Sequence, residues 1–209
     1  LLGACLLLFC PSLGAASILR VPGEFPTIRS AAAVAVAGDT ILVAPGSYDE
    51  PVPGIHLRGG VALISEAGRY ATEVVGPGLS TGWDPPNLPC VVKGFHFVRA
   101  EGQYVGFSNA GDGTEIGDCR FDGPGGQDEN IGSQRGLNIH DCVLTGCNIT
   151  LGGGQSGRDF SIVRNVIDGL ATDITLFLGG SNLFVIRSNT FLVPRQIFGD
   201  GVALPPTAH

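Results

Sequence analysis

Lysine is almost absent from this chain: Lys93 is the only one, and Lys and Arg together number 12 against 19 Asp and Glu. The formal net charge is −7. A partner built on phosphates calls for a basic face, and none is visible, which sets nucleic acid aside. Charged residues make up only 15% of the chain, no long charge run occurs, and low-complexity sequence is scarce. This is the composition of a folded protein rather than a disordered one. The four histidines, His56, His96, His140 and His209, form no ligand cluster along the sequence, and the cysteine spacing matches no zinc pattern. What is plentiful is glycine, 33 of 209 residues. That richness marks a fold of many turns, and the length suits one domain with a sizeable core.

The first segment, "LLGACLLLFCPSLGAAS", carries no charge and no initiator Met. Its apolar centre, Leu6 to Phe9, is followed by the small residues Gly14, Ala15 and Ala16. Residues 1–16 therefore read as the end of a secretory signal peptide that lacks its basic start. The stretch is too short and too interrupted by Pro and Gly for a membrane span. A lipoprotein reading through Cys5 and a buried N-terminal segment are the alternatives. Export leaves Cys90, Cys119, Cys142 and Cys147 in a mature domain of residues 17–209, in a compartment that permits disulfides.

Next comes one helix. Thr27 is a suitable N-cap, residues 28–37 are rich in Ala, and Gly38 suits the position after the helix end. A capping helix over 27–38 is expected, followed by a short strand from Thr40 to Ala44 and a turn at Pro45 and Gly46. No second convincing helix follows. Short apolar runs broken by Gly, Asn and Asp continue instead, and they repeat. Phe97, Phe121, Leu144, Ile167 and Phe191 stand at steps of 24, 23, 23 and 24 residues. Five positions before each stands an aliphatic residue: Val92, Ile116, Ile139, Ile162 and Ile186. Two positions before each stand Phe95, Cys119, Cys142, Asn165 and Asn189. A second apolar strand follows at Val105, Ile131, Ile149 and Ile174. A near-constant period with about three short strands per unit and variable loops describes a solenoid. The period and the β-branched strands fit the coil of a parallel β-helix, about six coils in all. Like residues then stack on like, at the ordinary spacing of paired strands. Asn165 and Asn189 become corner residues, because Asn tolerates the left-handed conformation of a sharp bend and its amide bonds to the Asn of the next coil.

The stretches "TIRSAAAVAVAGDTILVAPGSYDE", "GVALISEAG" and "VVKGFHF" resemble the start of right-handed parallel β-helix proteins of the pectin-lyase-like superfamily. The resemblance runs over roughly residues 18 to 193. It implies an all-β right-handed parallel β-helix with an N-terminal helical cap, in a group that spans lyases, hydrolases, esterases, epimerases and tailspikes. Fold alone therefore implies no activity. The group's known catalytic signatures are missing. There is no N-T-D segment, no L-G-R-P-W segment and no W-x-D-H segment, and "VPRQ" around Arg195 does not match the lyase arginine motif.

In enzymes of that superfamily the substrate groove runs over the third strand of each coil. Alternation puts Tyr104, Asn130, Asn148 and Asp173 on its outer face, with Asp128 and Glu129 in the adjoining loop. This strip suits sugar hydroxyls, with Tyr104 as a stacking platform. Glu129 and Asp173 are the candidate catalytic carboxylates, for acid–base work or for bridging calcium. The exposed Asn and Asp among them are also ordinary turn residues at strand starts. A second outward column holds Asp118, Asp141 and Arg164 with His140 beside it. It reads as a surface ion-pair ladder, worth about 0–1 kcal/mol per pair. Cys119 and Cys142 share an inward column, as stacked thiols by default or as a disulfide between coils. Asn148 opens the sequon "NIT", relevant in a eukaryotic source. The glycine runs at 123–126 and 151–157 precede no helix and read as turns. The final "LPPTAH" supplies no recognisable cap for the last coil. The functional expectation is a secreted or cell-envelope module that contacts polysaccharide or a cell-surface glycan, without a resident cofactor or metal. The alternative is a polysaccharide lyase or glycoside hydrolase.

Overall fold

The computed structural model describes residues 15–82, 84, 87–98, 106–123, 130–152, 157–168, 174–177, 182–192, 197–199 and 202–204. Within them the chain winds as a parallel β-solenoid of about six turns, with three sheets running its length. The first sheet stacks Ile18–Val21, Thr40–Val43, Ala62–Ser65, Val91–Lys93, Thr114–Gly117, Leu137–His140, Asp159–Val163 and Leu183–Arg187. The second stacks the strands from Gly46–Asp49 to Thr190–Phe191, and the third those from Ile55–Leu57 to Ile197–Gly199. One antiparallel strand, Val202–Leu204, closes the third sheet's last edge.

The registers follow the sequence repeat. Val92, Ile116, Ile139, Ile162 and Ile186 are successive partners in the first sheet. Phe97, Phe121, Leu144, Ile167 and Phe191 are successive partners in the second. Period-2 alternation sends these side chains inward, and all but the last-coil members Ile186 and Phe191 are buried. Phe97 stacks on Phe121 with centroids 5.0 Å apart, and Phe160 on Phe184 at the same distance. In the third sheet the expected inward residue Val105 lies outside the described residues. Phe107, two positions on, takes the inward place, in register with Leu79 and Ile131.

The corner between the first and second sheets departs from expectation. The left-handed residue is not the ladder residue but the one before it: Gly94, Asp118, Asp141, Arg164 and Ser188, with φ between 50° and 81°. The following residue, Phe95, Cys119, Cys142, Asn165 or Asn189, turns inward. Two inward Asn and two Cys fit there for one hydrogen-bonding reason. Asn165 Oδ1 accepts from the Cys142 N–H, and Asn189 Oδ1 accepts from the Asn165 N–H, each at 2.9 Å. Each amide also donates back one coil, Asn165 to the Ile139 carbonyl and Asn189 to that of Ile162. Cysteine repeats the acceptor half of the pattern with sulfur: the Cys119 N–H donates to Cys142 Sγ, while each thiol's nearest acceptor is the carbonyl two residues before it, Gly117 for Cys119 and His140 for Cys142. The corner needs an inward acceptor because its own N–H turns away from the backbone ladder. Cys90, Cys119 and Cys142 are buried free thiols, so the inward pair Cys119 and Cys142 is stacked rather than disulfide-bonded, and Cys147 is buried as well.

The N-terminal helix is Ile28–Val34, shorter than the expected 27–38. Thr27 does cap it, exchanging hydrogen bonds with Ser30. Ala35 leaves helical geometry, with ψ at 141°. The Asp39 carboxylate explains the early stop. It accepts from the Val36 N–H and the Ser17 N–H, each at 2.9 Å, and so pulls residues 36–39 back to the first sheet. Tertiary hydrogen bonds overrule the helix propensity of alanine. Ile28, Ala31 and Ala32 are buried beneath the helix, which packs on the strand Ile55–Leu57. The buried Glu50 carboxylate completes the cap, taking the Ile28 N–H at 2.7 Å. Burial raises the Glu50 pKa overall, although these amide bonds pull the other way.

Candidate functional site

The strip expected along the third sheet is only partly described. Tyr104, Asp128, Glu129 and Asp173 lie outside the described residues. Asn130 and Asn148 are register partners, and Gly106 stands in line with them. The position given to Tyr104 by sequence spacing therefore belongs to Gly106, because the strand starts two residues later than the apolar run suggests. Asn148 is half-buried at the head of its strand.

Charged side chains converge instead on the ridge between the first and second sheets. Lys93 Nζ and His140 Nε2 each lie 2.7 Å from Glu115 Oε1. His140 Nδ1 lies 2.7 Å from Asp141 Oδ2. Arg164 grips the same carboxylate with two bonds, at 2.8 and 2.6 Å. Arg69 reaches Asp118 at 3.0 Å and also donates to the Asp141 carbonyl. Backbone geometry sets this up. Asp118, Asp141 and Arg164 occupy the left-handed corner positions, which aim their side chains outward. Gly117 leaves the space between Lys93 and His140 open, since a Cβ there would lie 2.7 Å from His140 Cε1. The two side chains can therefore lean over it onto Glu115.

Arg164 and then His140 hold the Asp141 carboxyl well below the usual carboxylate range. Burial works against the charge on Glu115, but the bonds from Lys93 and His140 outweigh it and lower its pKa. Three cations, Lys93, Arg69 and Arg164, face three carboxylates, Glu115, Asp118 and Asp141. The ridge is thus close to neutral, yet dense in fixed donors and acceptors. Beside it stands Tyr70, 82% exposed, with the Arg69 guanidinium 5.2 Å from its ring centre. On the second sheet a related group continues the polar surface. His96 Nε2 lies 2.8 Å from Asp122, which Arg120 also holds, and Nδ1 lies 3.6 Å from Glu73.

The sequence reading found Asp118, Asp141, Arg164 and His140. It missed Lys93, Glu115, Arg69 and Tyr70, which lie on other strands and an intervening loop. The stacked register Glu115, Asn138 and Ser161 was the available signal for Glu115. The third sheet carries one further polar group on its outer face, His56 with Ser80 and Asp84. Among the described residues no group of three His, Cys, Asp or Glu is arranged to hold a metal ion. No helix there is long and apolar enough to cross a membrane. Compared with family models, curated proteins and solved structures, the chain matches none.

Proposed function

We propose that the chain is a secreted or cell-envelope β-helix protein of the pectin-lyase-like kind that binds extracellular polysaccharide along the ridge. The observation that carries this reading is the exposed Tyr70 ring beside a row of half-exposed side chains already locked in place by one another. An aromatic face gives a sugar ring an apolar platform. Paired Asp, Arg and His groups offer its hydroxyls donors and acceptors at little cost in side-chain entropy. Charge balance on the ridge favours an uncharged glycan over a polyuronate, and the acidic chain as a whole points the same way. The uncharged leader-like segment at residues 1–16 supports an extracytoplasmic site of action.

The test is retention of the domain from residue 17 onward on a panel of immobilised polysaccharides, with and without calcium. Retention without new reducing ends or unsaturated products supports the reading. Tyr70→Ala should weaken it by up to about tenfold, in line with the loss of one stacking contact. Backbone cleavage of any glycan in the panel would overturn the binding reading in favour of a lyase or hydrolase.

A further inference from the structure

On the third sheet, Ile55–Leu57 pairs with Gly78–Thr81, and His56 and Ser80 are direct register partners on the outer face. Ser80 Oγ lies 2.8 Å from His56 Nδ1. His56 Nε2 lies 3.1 Å from Asp84 Oδ2, which comes from the loop after the second strand. An ionised carboxylate can only accept, so the contact with Asp84 puts the ring proton on Nε2. Nδ1 then presents a lone pair to Ser80. The other contact of that hydroxyl, the Ile55 carbonyl, is longer at 3.5 Å, so its proton points to His56. A hydroxyl, a basic ring nitrogen and a carboxylate that orients the ring stand in the order that activates a serine.

We propose that Ser80, His56 and Asp84 form a serine-nucleophile site that hydrolyses small carboxylic esters, the class that includes O-acyl groups on sugar hydroxyls. Ser80 Oγ attacks the ester carbonyl carbon while His56 Nδ1 takes the hydroxyl proton. The tetrahedral alkoxide collapses, the carbon–oxygen bond to the alcohol breaks, and His56 returns the proton to the departing alcohol. Water then attacks the acyl-serine, again giving its proton to Nδ1. The acid leaves, and Ser80 Oγ regains its hydrogen from His56. Asp84 is a positioning residue: it keeps the proton on Nε2 and stabilises the charged ring.

The surroundings restrict the substrate. His56 and Asp84 side chains are 46% and 53% exposed, so the site is an open shelf. Such a shelf suits an acyl group projecting from a larger molecule. Ser108, the next partner of Ser80 along the sheet, is exposed and supplies a hydroxyl donor for the developing oxyanion. Gly106, two residues before it on the same face, leaves open space, since a Cβ there would meet nothing within 4 Å. The site lies on another sheet from the ridge, so the inference goes beyond the binding proposal and does not rest on it. Ester cleavage creates no reducing end, which keeps the two assays separate.

The test uses the whole domain with 4-methylumbelliferyl acetate and with a fluorophosphonate probe, followed by peptide mapping. The expected result is a covalent adduct on Ser80. Turnover should fall about a hundredfold or more in Ser80→Ala and His56→Gln. Asp84→Asn should retain the adduct at a slower rate and shift the pH profile of turnover, because an Asn amide can donate to Nε2 and favour the wrong tautomer. His209→Gln, the last histidine of the chain, should leave turnover unchanged and so controls for simple imidazole catalysis. Turnover in Ser80→Ala equal to wild type, in a variant with unchanged melting, would overturn the site. So would an adduct that maps elsewhere.

Discussion

The backbone N–H of Cys142 donates to Oδ1 of Asn165, 2.9 Å away in the next coil. The corner that turns the chain from first to second sheet thereby borrows its acceptor from the coil stacked on it. Asn165→Val removes that acceptor and leaves the Ile139 carbonyl without its amide donor. A buried group left unpaired costs about 1–3 kcal/mol, so the urea midpoint should fall accordingly. Asn165→Cys, copying position 142, should recover part of the loss. An unchanged midpoint in the valine variant would contradict the corner chemistry.

Gly78 and Gly117 should respond to alanine to very different degrees. Gly78 has φ at 108°, and a Cβ there would overlap the Gly106 backbone of the adjacent coil. Backbone cannot step aside, so Gly78→Ala should cost about 3 kcal/mol. A Cβ on Gly117 meets the far end of the His140 side chain, which can swing away. Gly117→Ala should cost less than about 1 kcal/mol and break the His140–Glu115 contact. Chemical denaturation measures the first effect. The His140 ring resonances and loss of glycan retention measure the second.

Asp141, Glu115 and Asp122 all have carboxyl pKa values lowered by the fold. A lowered folded pKa stabilises above the unfolded value, about 4, and that stability is lost as pH falls through the folded values. The urea midpoint should therefore decline below about pH 4. The decline should be shallower in Asp141→Asn. Equal slopes in variant and wild type would show that the Arg164 and His140 bonds to Asp141 do not form in solution.

Cys119 and Cys142 should resist alkylation in the folded protein. Both are buried, and burial pushes the Cys142 thiol up, away from the reactive thiolate. Iodoacetamide at pH 8 should leave their peptides unmodified until urea unfolds the chain. Rapid labelling of either in the native state would mean that the coil stack opens there.

Much of the winding was legible in the sequence, because a solenoid repeats each inward position at a near-constant step. The columns through Val92 and Phe97, and the ladder from Phe95 to Asn189, could be read one coil at a time from apolar spacing alone. Loops of unequal length broke that reading. The run "YVGF" pointed to Val105 as the inward residue, and pairing with Leu79 and Ile131 gave that place to Phe107 instead. Helix length was likewise decided from outside the helix, by the Asp39 carboxylate. The ridge and the His56 group were illegible for a related reason. Lys93 and Glu115, or His56 and Ser80, are more than twenty residues apart and become neighbours only through strand register. Local pattern determined which faces point inward, since that depends on alternation within a strand. Tertiary structure decided which outward side chains meet, since that depends on how many residues each loop inserts between coils.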